Sequence, residues 1–320
     1  MSTTKRVLQG LDEISGWQEE LYVHLHQNPE LSMQETQTTA QITRRLEAYG
    51  YDVQQIGGGV VGILANGEGP TVLFRADIDV ALGQHVLAVP WAGEVGTTAG
   101  PVLSTGACIR IKVTGKGSHG SMPHLGVDPV LMASAIVTRL QGIVAREIAP
   151  SQFGVVTVGS LQSGTKANII PNDATLLLNI RAYDEAVRDK LQASIERIVR
   201  AECQASGAPV EPTFELYDQY PLTDNDPDVN ARVTGAFVDH FGAERVKKLE
   251  PITASEDFSI IPDAFGVPYC YWGFGGFTAG TPTLPNHNPG FGPVMQPTLR
   301  TGTEAAVAAV LAYLGKDEQA

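Results

Sequence analysis

ACIRIKVTGKGSHGSMPHLGVDPV, residues 107–130, reads as a strand, a glycine-rich turn and the start of a helix. Ala107 to Thr114 supplies the strand, and Asp128 sits at an N-cap position with Pro129 at the first helical position. Proline costs nothing there, because that N–H has no partner within the helix. Downstream, the helix stops before Pro150. Two strands follow, near 153–160 and 174–182, the second ending at Arg181. A helix from Asp184 to about Ser206 is closed by Gly207, and a last strand lies near Val210 to Leu216. The order β-α-β-β-α-β is that of a ferredoxin-like unit. It marks residues 104–218 as a complete α+β domain inserted in a longer chain.

Working outward, residues 8–26 carry Leu8, Leu11, Ile14, Trp17, Leu21 and Leu25 near helical spacing, and Pro29 ends that helix. Ser32 and Glu35 predict a capping box for a second helix running to Tyr49 and stopped by Gly50. Strands are expected at Val60 to Ala65 and Thr71 to Ala76, paired as a hairpin through Asn66-Gly67. After the insertion, a helix over 227–240 is capped by Asp226 with Pro227 behind it. Gly- and Pro-rich chain spans 274–290, and a terminal helix covers Glu304 to Leu314. Segments 1–103 and 219–320 thus form one discontinuous α/β domain. Its difficulty is a shortage of strands: only two are legible before the insertion, and helices need a sheet to cover.

Composition narrows the function classes. The 320 residues carry 22 Lys plus Arg against 35 Asp plus Glu, a net charge of −13, which is the wrong sign for nucleic-acid binding. No apolar run reaches the ~18 residues of a membrane helix. The opening Met-Ser-Thr-Thr-Lys-Arg leads into an amphipathic segment and not a signal-peptide core. Cys108, Cys203 and Cys270 are odd in number and widely spaced, which argues against a disulfide framework and for a reducing cytoplasm.

Several short stretches carry possible chemistry. Gly57-x-Gly59-x-x-Gly62 matches a dinucleotide fingerprint by letters, but Gly62 falls inside an apolar strand and not at a helix start, so a turn is the better reading. Arg75-Ala76-Asp77-Ile78-Asp79 places two carboxylates at a strand end, where sites of α/β sheets are built. His85, in Gly83-Gln84-His85-Val86, and His287, in Asn286-His287-Asn288-Pro289, lie in loop or strand-end contexts suited to metal ligation. His24, His26 and His240 read as structural or exposed. His119 follows a strand in Gly115-Lys116-Gly117-Ser118-His119-Gly120, and His124 follows Met122-Pro123. Ser118-His119 is no nucleophile elbow, since Lys116 stands where glycine is required. Asn168 can donate to an oxyanion and Arg181 can fork a carboxylate. Glu256 and Asp257, in Ala254-Ser255-Glu256-Asp257-Phe258, read as a helix N-terminal cap.

Together these motifs resemble the dinuclear-zinc amidohydrolases that include hippurate hydrolases, aminoacylases and plant auxin-conjugate hydrolases. The resemblance runs nearly end to end: His26 to Ser32, Arg75 to Asp79, Gly83 to Val86, Gly115 to Pro129, Gly164 to Pro171, Asn179 to Tyr183, Ser255 to Phe258, and His287. It implies a zinc-exopeptidase-like catalytic domain, an inserted lid that forms homodimers, a zinc or manganese cofactor, and hydrolysis of N-acyl amino acids or related amides. By the same resemblance His85 and His287 are metal ligands, with Asp77 and Asp79 in the family's acidic segment. His119 and Asn168 serve a neighbouring subunit's site, His119 as the oxyanion donor. Arg181 contacts the substrate carboxylate, and Glu256 or Asp257 is an accessory acid.

One departure outweighs the matches. In the family, a long segment separates the Arg-Ala-Asp-x-Asp motif from Gly-x-His-Val. It carries a Cys-Gly-His-Asp sequence with two ligands and a Glu-Glu pair with the general base. Here Asp79 is followed at once by Val80-Ala81-Leu82-Gly83-Gln84-His85, and the one Glu-Glu pair, Glu19-Glu20, lies on the first helix. Two cations ~3.5–4 Å apart need ligands for both and a carboxylate to take the proton from water. A catalytic zinc needs at least three protein ligands. The expectation is therefore a shortened amidohydrolase with weak or lost activity. Its rivals are a dimerising or ligand-binding scaffold and an internally deleted product whose outer domain folds poorly.

Overall fold

The computed structural model describes residues 3–31, 33–57, 59–65, 67, 71–74, 80–284, 286 and 288–315. The chain opens with helices α1 (Thr3–Val7), α2 (Leu11–Gln27) and α3 (Thr36–Ala48), then strands β1 (Asp52–Ile56) and β2 (Gly59–Ile63). These two strands pair antiparallel, Asp52 beside Ile63. Gly57 turns between them at φ +58°, a conformation that suits glycine, while Gly59 and Gly62 lie within β2 and open no helix. The expected capping box does not start α3. The Glu30 carboxylate accepts from the backbone N–H of Gln37 (2.9 Å) and Thr38 (2.8 Å), which caps the helix from outside its own turn. Those bonds hold the Glu30 carboxyl below its ordinary range. Ser32 lies outside the described residues.

Strands β3 (Val72–Phe74), β4 (Val80–Ala92), β5 (Val95–Thr97) and β6 (Gly100–Leu103) follow. The expected hairpin across Asn66-Gly67 does not form. β2 pairs back to β1, and β3 lies parallel to β4, with Val72 beside Val80. A turn dipeptide marks a local preference, but a strand takes whichever partner tertiary packing supplies.

The middle of the chain comprises β7 (Thr105–Thr114), β8 (Ser118–His119), α4 (Pro129–Arg146), β9 (Gly154–Ser163), β10 (Ile169–Ile170), β11 (Asp173–Ala182), α5 (Glu185–Ala205) and β12 (Thr213–Tyr220). Its four long strands form an antiparallel sheet in the order β12-β7-β11-β9. Ile109, Ile111 and Val113 alternate with exposed Arg110 and Lys112, so one face is buried and the other is wet. Met132, Ile136, Leu140 and Ile143 of α4 and Leu191, Ile195 and Ile198 of α5 cover the buried face. Each such side chain contributes roughly 1.5–3 kcal/mol by leaving water.

The rest is β13 (Thr223–Asn225), α6 (Pro227–Phe241), β14 (Val246–Lys248), α7 (Ile260–Phe265), β15 (Tyr269–Gly275) and α8 (Met295–Leu314). A five-stranded sheet in the order β14-β5-β15-β4-β3 gives the outer helices their partner. Its centre comes from Val80–Ala92 and Tyr269–Gly275, stretches whose glycines and prolines hide strand character in the sequence. Trp272 and Phe237 centre the core under α6 and α8, while Phe258, Tyr269 and Tyr271 pack with Val102 and Leu103 on the other face. α8 begins nine residues earlier than the expected Glu304. Cys108, Cys203 and Cys270 are free thiols. No helix among the described residues is long and apolar enough to cross a membrane.

Candidate functional site

His85 lies inside β4, not in a loop or at a strand end, and stands beside Gly273 of β15. Its Nδ1 is 2.6 Å from the Val86 carbonyl oxygen, a contact that places the ring proton on Nδ1 and leaves the Nε2 lone pair free. Ala81, Gly83 and His85 share one face of the strand by its two-residue period. Phe258 rests on that face, so close that a Cβ at Gly83 would meet its ring at 2.5 Å. The Ser255–Phe258 loop therefore shares the sheet face of His85. Glu256 and Asp257 precede α7 rather than cap it; the N-cap residue is Ser259.

Arg181 joins the same loop from the end of β11. Its Nη1 donates to the Thr253 carbonyl (2.9 Å) and Ser255 Oγ (2.7 Å), and its Nε to Asn179 Oδ1 (3.0 Å). Nη2 has no partner among the described residues, so its two N–H groups remain able to donate to an acceptor such as a carboxylate oxygen. Thr253 and Ser255, which aim this arginine, sit more than seventy residues away in sequence.

His119 and Asn168 are brought together elsewhere. β8 and β10 form a short antiparallel ribbon with His119 beside Ile169, and the Gly120 N–H donates to the Asn168 carbonyl at 2.8 Å. Glycine is required on both sides of His119. A Cβ at Gly117 would lie 2.8 Å from Asn172 Oδ1, and one at Gly120 would lie 3.0 Å from the Asn168 backbone. His119 Nδ1 accepts from the Ser121 N–H at 3.2 Å and contacts Ser121 Oγ at 2.8 Å. The neutral ring then carries its proton on Nε2, exposed and able to donate. β7 runs from Thr105 beside Ala182 to Thr114 beside Asp173, so the ribbon and Arg181 occupy opposite ends of the sheet. The eight strand steps of ~3.3 Å from Arg181 to Asp173 already put about 26 Å between them. His119 and Asn168 cannot converge with Arg181 and His85 within one chain.

Asp77, Asp79 and His287 lie outside the described residues. Among the described residues, no three His, Cys, Asp or Glu side chains converge as a metal would require. The donors that are described do not fit a dinuclear centre.

Comparison with known proteins gives this arrangement its family. Residues 105–206 match the M20 peptidase dimerisation domain. The Bacillus subtilis protein YhaA, named as an amidohydrolase, is 30% identical over 322 residues, covering 75% of this chain and 81% of the relative. Thermostable carboxypeptidase 2 of Saccharolobus solfataricus is 38% identical over 182 residues, 57% of this chain. The chain spans only 45% of that relative's length. A Staphylococcus aureus protein named as an aminohydrolase has the same fold, with a TM-score of 0.84 at 23% identity, covering 98% of this chain and 100% of that one. YXEP of Bacillus subtilis, a dinuclear metal binding peptidase from the M20 family, superposes with a TM-score of 0.73 at 18% identity, covering 95% and 100%. The fold is thus a mixed α/β enzyme scaffold with an inserted dimerisation domain. The chain belongs to the M20 family of metal-dependent amidohydrolases and peptidases.

The alignment with YhaA is 322 positions long but draws on 75% of the 320 residues, about 240, so roughly 80 positions of the relative face no residue here.

Proposed function

We propose that this protein is an M20 amidohydrolase by descent whose own hydrolysis of N-acyl amino acids or related amides is weak or absent. Residues 104–218 act as its dimerising lid, residues 1–103 and 219–320 as a shortened catalytic domain, and the cytoplasm is its compartment. The observation that carries this reading is the five-residue connection, 75–79, between the parallel neighbours β3 and β4. Parallel strands ordinarily need a crossover of a dozen or more residues. The alignment gap supports a loss of about eighty residues, and the family's Cys-Gly-His-Asp and site Glu-Glu sequences are not found here. Without them the chain has no placed base, and half the ligands for zinc or manganese are gone.

What remains is substrate polarisation. His119 Nε2–H and the Asn168 amide, from one subunit's ribbon, donate to a carbonyl oxygen held at a partner's site, and Arg181 Nη2 takes a carboxylate. Removing one such donor costs an enzyme about 100–1,000-fold in rate, but donors alone do not activate water. A purely dimerising scaffold is the second reading, favoured by the completeness of the lid core.

N-acetyl- and N-benzoyl-amino acids offered to the purified chain with added zinc or manganese test both. Turnover near the blank is expected, with any residue of it abolished by His119→Ala and by chelator. Brisk turnover overturns the proposal. Metal content separates the two readings: a hydrolase remnant binds at least one equivalent and loses it on His85→Ala, whereas a scaffold binds none.

A further inference from the structure

β3 and β4 run parallel and side by side, Val72 beside Val80 and Phe74 beside Leu82, with five residues between them. A chain leaving β3 must return along one face of the sheet before entering β4 in the same direction. That return is normally made by a helix. Five residues leave no room for one.

Residues 3–74, on the near side of this link, have almost no core of their own. Leu11 is the sole buried side chain among those described. They are held instead from across the link. Gln18 Nε2 donates to Thr303 Oγ1 (3.0 Å), Tyr22 OH to the Pro293 carbonyl (2.7 Å), and Arg300 pairs with Asp12 (2.5 Å). Gln296 Nε2 donates to Glu19 Oε1 (3.0 Å). Every one of these contacts joins residues 3–74 to residues 80–315, and a second copy offers the same surface.

We propose that residues 3–74 of each copy dock on β4 and α8 of a second copy, in a reciprocal exchange that makes a two-fold dimer. Exchange keeps each contact above and pairs β3 with the partner's β4 edge. The five residues of sequence between the two strands then bridge from one copy to the next instead of joining parallel neighbours within one copy. Short, constrained links are where such swapping arises. The interface is separate from any dimer made through the lid, and it does not depend on whether the chain hydrolyses anything.

A disulfide between neighbouring strands decides it. Leu73 and Ala81 are register neighbours, and parallel strands ~4.8 Å apart fall within the ~4.4–6.8 Å that a disulfide spans. The full chain carrying Leu73→Cys and Ala81→Cys, with the partly exposed Cys108 changed to Ser, is oxidised and run on a denaturing, non-reducing gel. The expected product is a covalent dimer of twice 34.1 kDa that requires both new cysteines. A disulfide closed within one chain overturns the proposal, and so does failure to form any, since β3 would then not sit on β4. In a second variant, twelve Gly and Ser residues are inserted between Asp79 and Val80. The covalent dimer is expected to fall at least tenfold in favour of the closed monomer. An unchanged dimer fraction overturns the proposal, because the short link would not be driving exchange.

Discussion

At Asp128 one carboxylate oxygen accepts from the Val130 N–H at 2.8 Å and the Leu131 N–H at 3.4 Å, closing the open end of α4. Asp184 does the same for α5 through Val187 (2.9 Å), and Asp226 for α6 through Asp228 and Val229 (both 2.9 Å). Such caps act within three residues, so all three are readable from sequence. Replacing Asp128 by Ala is expected to cost about 1 kcal/mol of lid stability, read as a lower urea midpoint, with Asn retaining most of it. An unchanged midpoint for Asp128→Ala would show that the cap is idle. Glu30 is the opposite case. Its carboxylate serves N–H groups seven and eight residues on, past a turn, and no local rule points to it. Arg181 is harder still, since Thr253 and Ser255 orient it from another segment.

Between elements, Glu147 ties the end of α4 to α5. Its carboxylate accepts from Ser194 Oγ (2.9 Å) and Arg197 Nη2 (2.7 Å to each oxygen), and Lys190 Nζ reaches its backbone carbonyl. The Arg197 hydrogen bond, then that from Ser194, holds the Glu147 carboxyl below its ordinary 4.5. A carboxyl lowered by folding stabilises the fold above its unfolded value, and that contribution is lost as pH falls through the folded one. Wild type is therefore expected to exceed Glu147→Gln in unfolding free energy by a constant margin above pH 4.5, and the margin should shrink below it. A margin that stays flat into acid would assign the difference to packing and not to charge. The two helices were legible from their caps and stops, but the pinning of one by the other was not.

Across the whole molecule, burial is unequal. Residues 80–315 contain the four-stranded sheet, four of the five strands of the other large sheet, and nearly all of the buried core, whereas residues 3–74 bury only Leu11 among the described side chains. Limited proteolysis is expected to cut first within residues 3–79 and to leave a resistant body that holds the lid sheet and the Trp272 core together. This differs from the rival reading of an internally deleted product whose outer domain folds poorly, because residues 219–315 pack Phe237, Phe241 and Trp272 against α8. Cleavage rates equal across the chain, or a surviving fragment confined to 104–218, would count against it. The shortage of strands that the sequence posed is met by β4 and β15, which glycine and proline disguise.

By itself the sequence determined the family, the β-α-β-β-α-β order of the dimerisation domain and its helix caps, because each of these is written in near-neighbour spacing or in a motif. Only the tertiary structure decided that His85 stands within a strand, that β3 joins β4 in parallel across five residues, and that His119 and Arg181 lie at opposite ends of one sheet. Strand pairing and side-chain convergence depend on residues far apart along the chain. Their geometry is fixed by which faces find each other to exclude water, and local spacing carries no record of that choice.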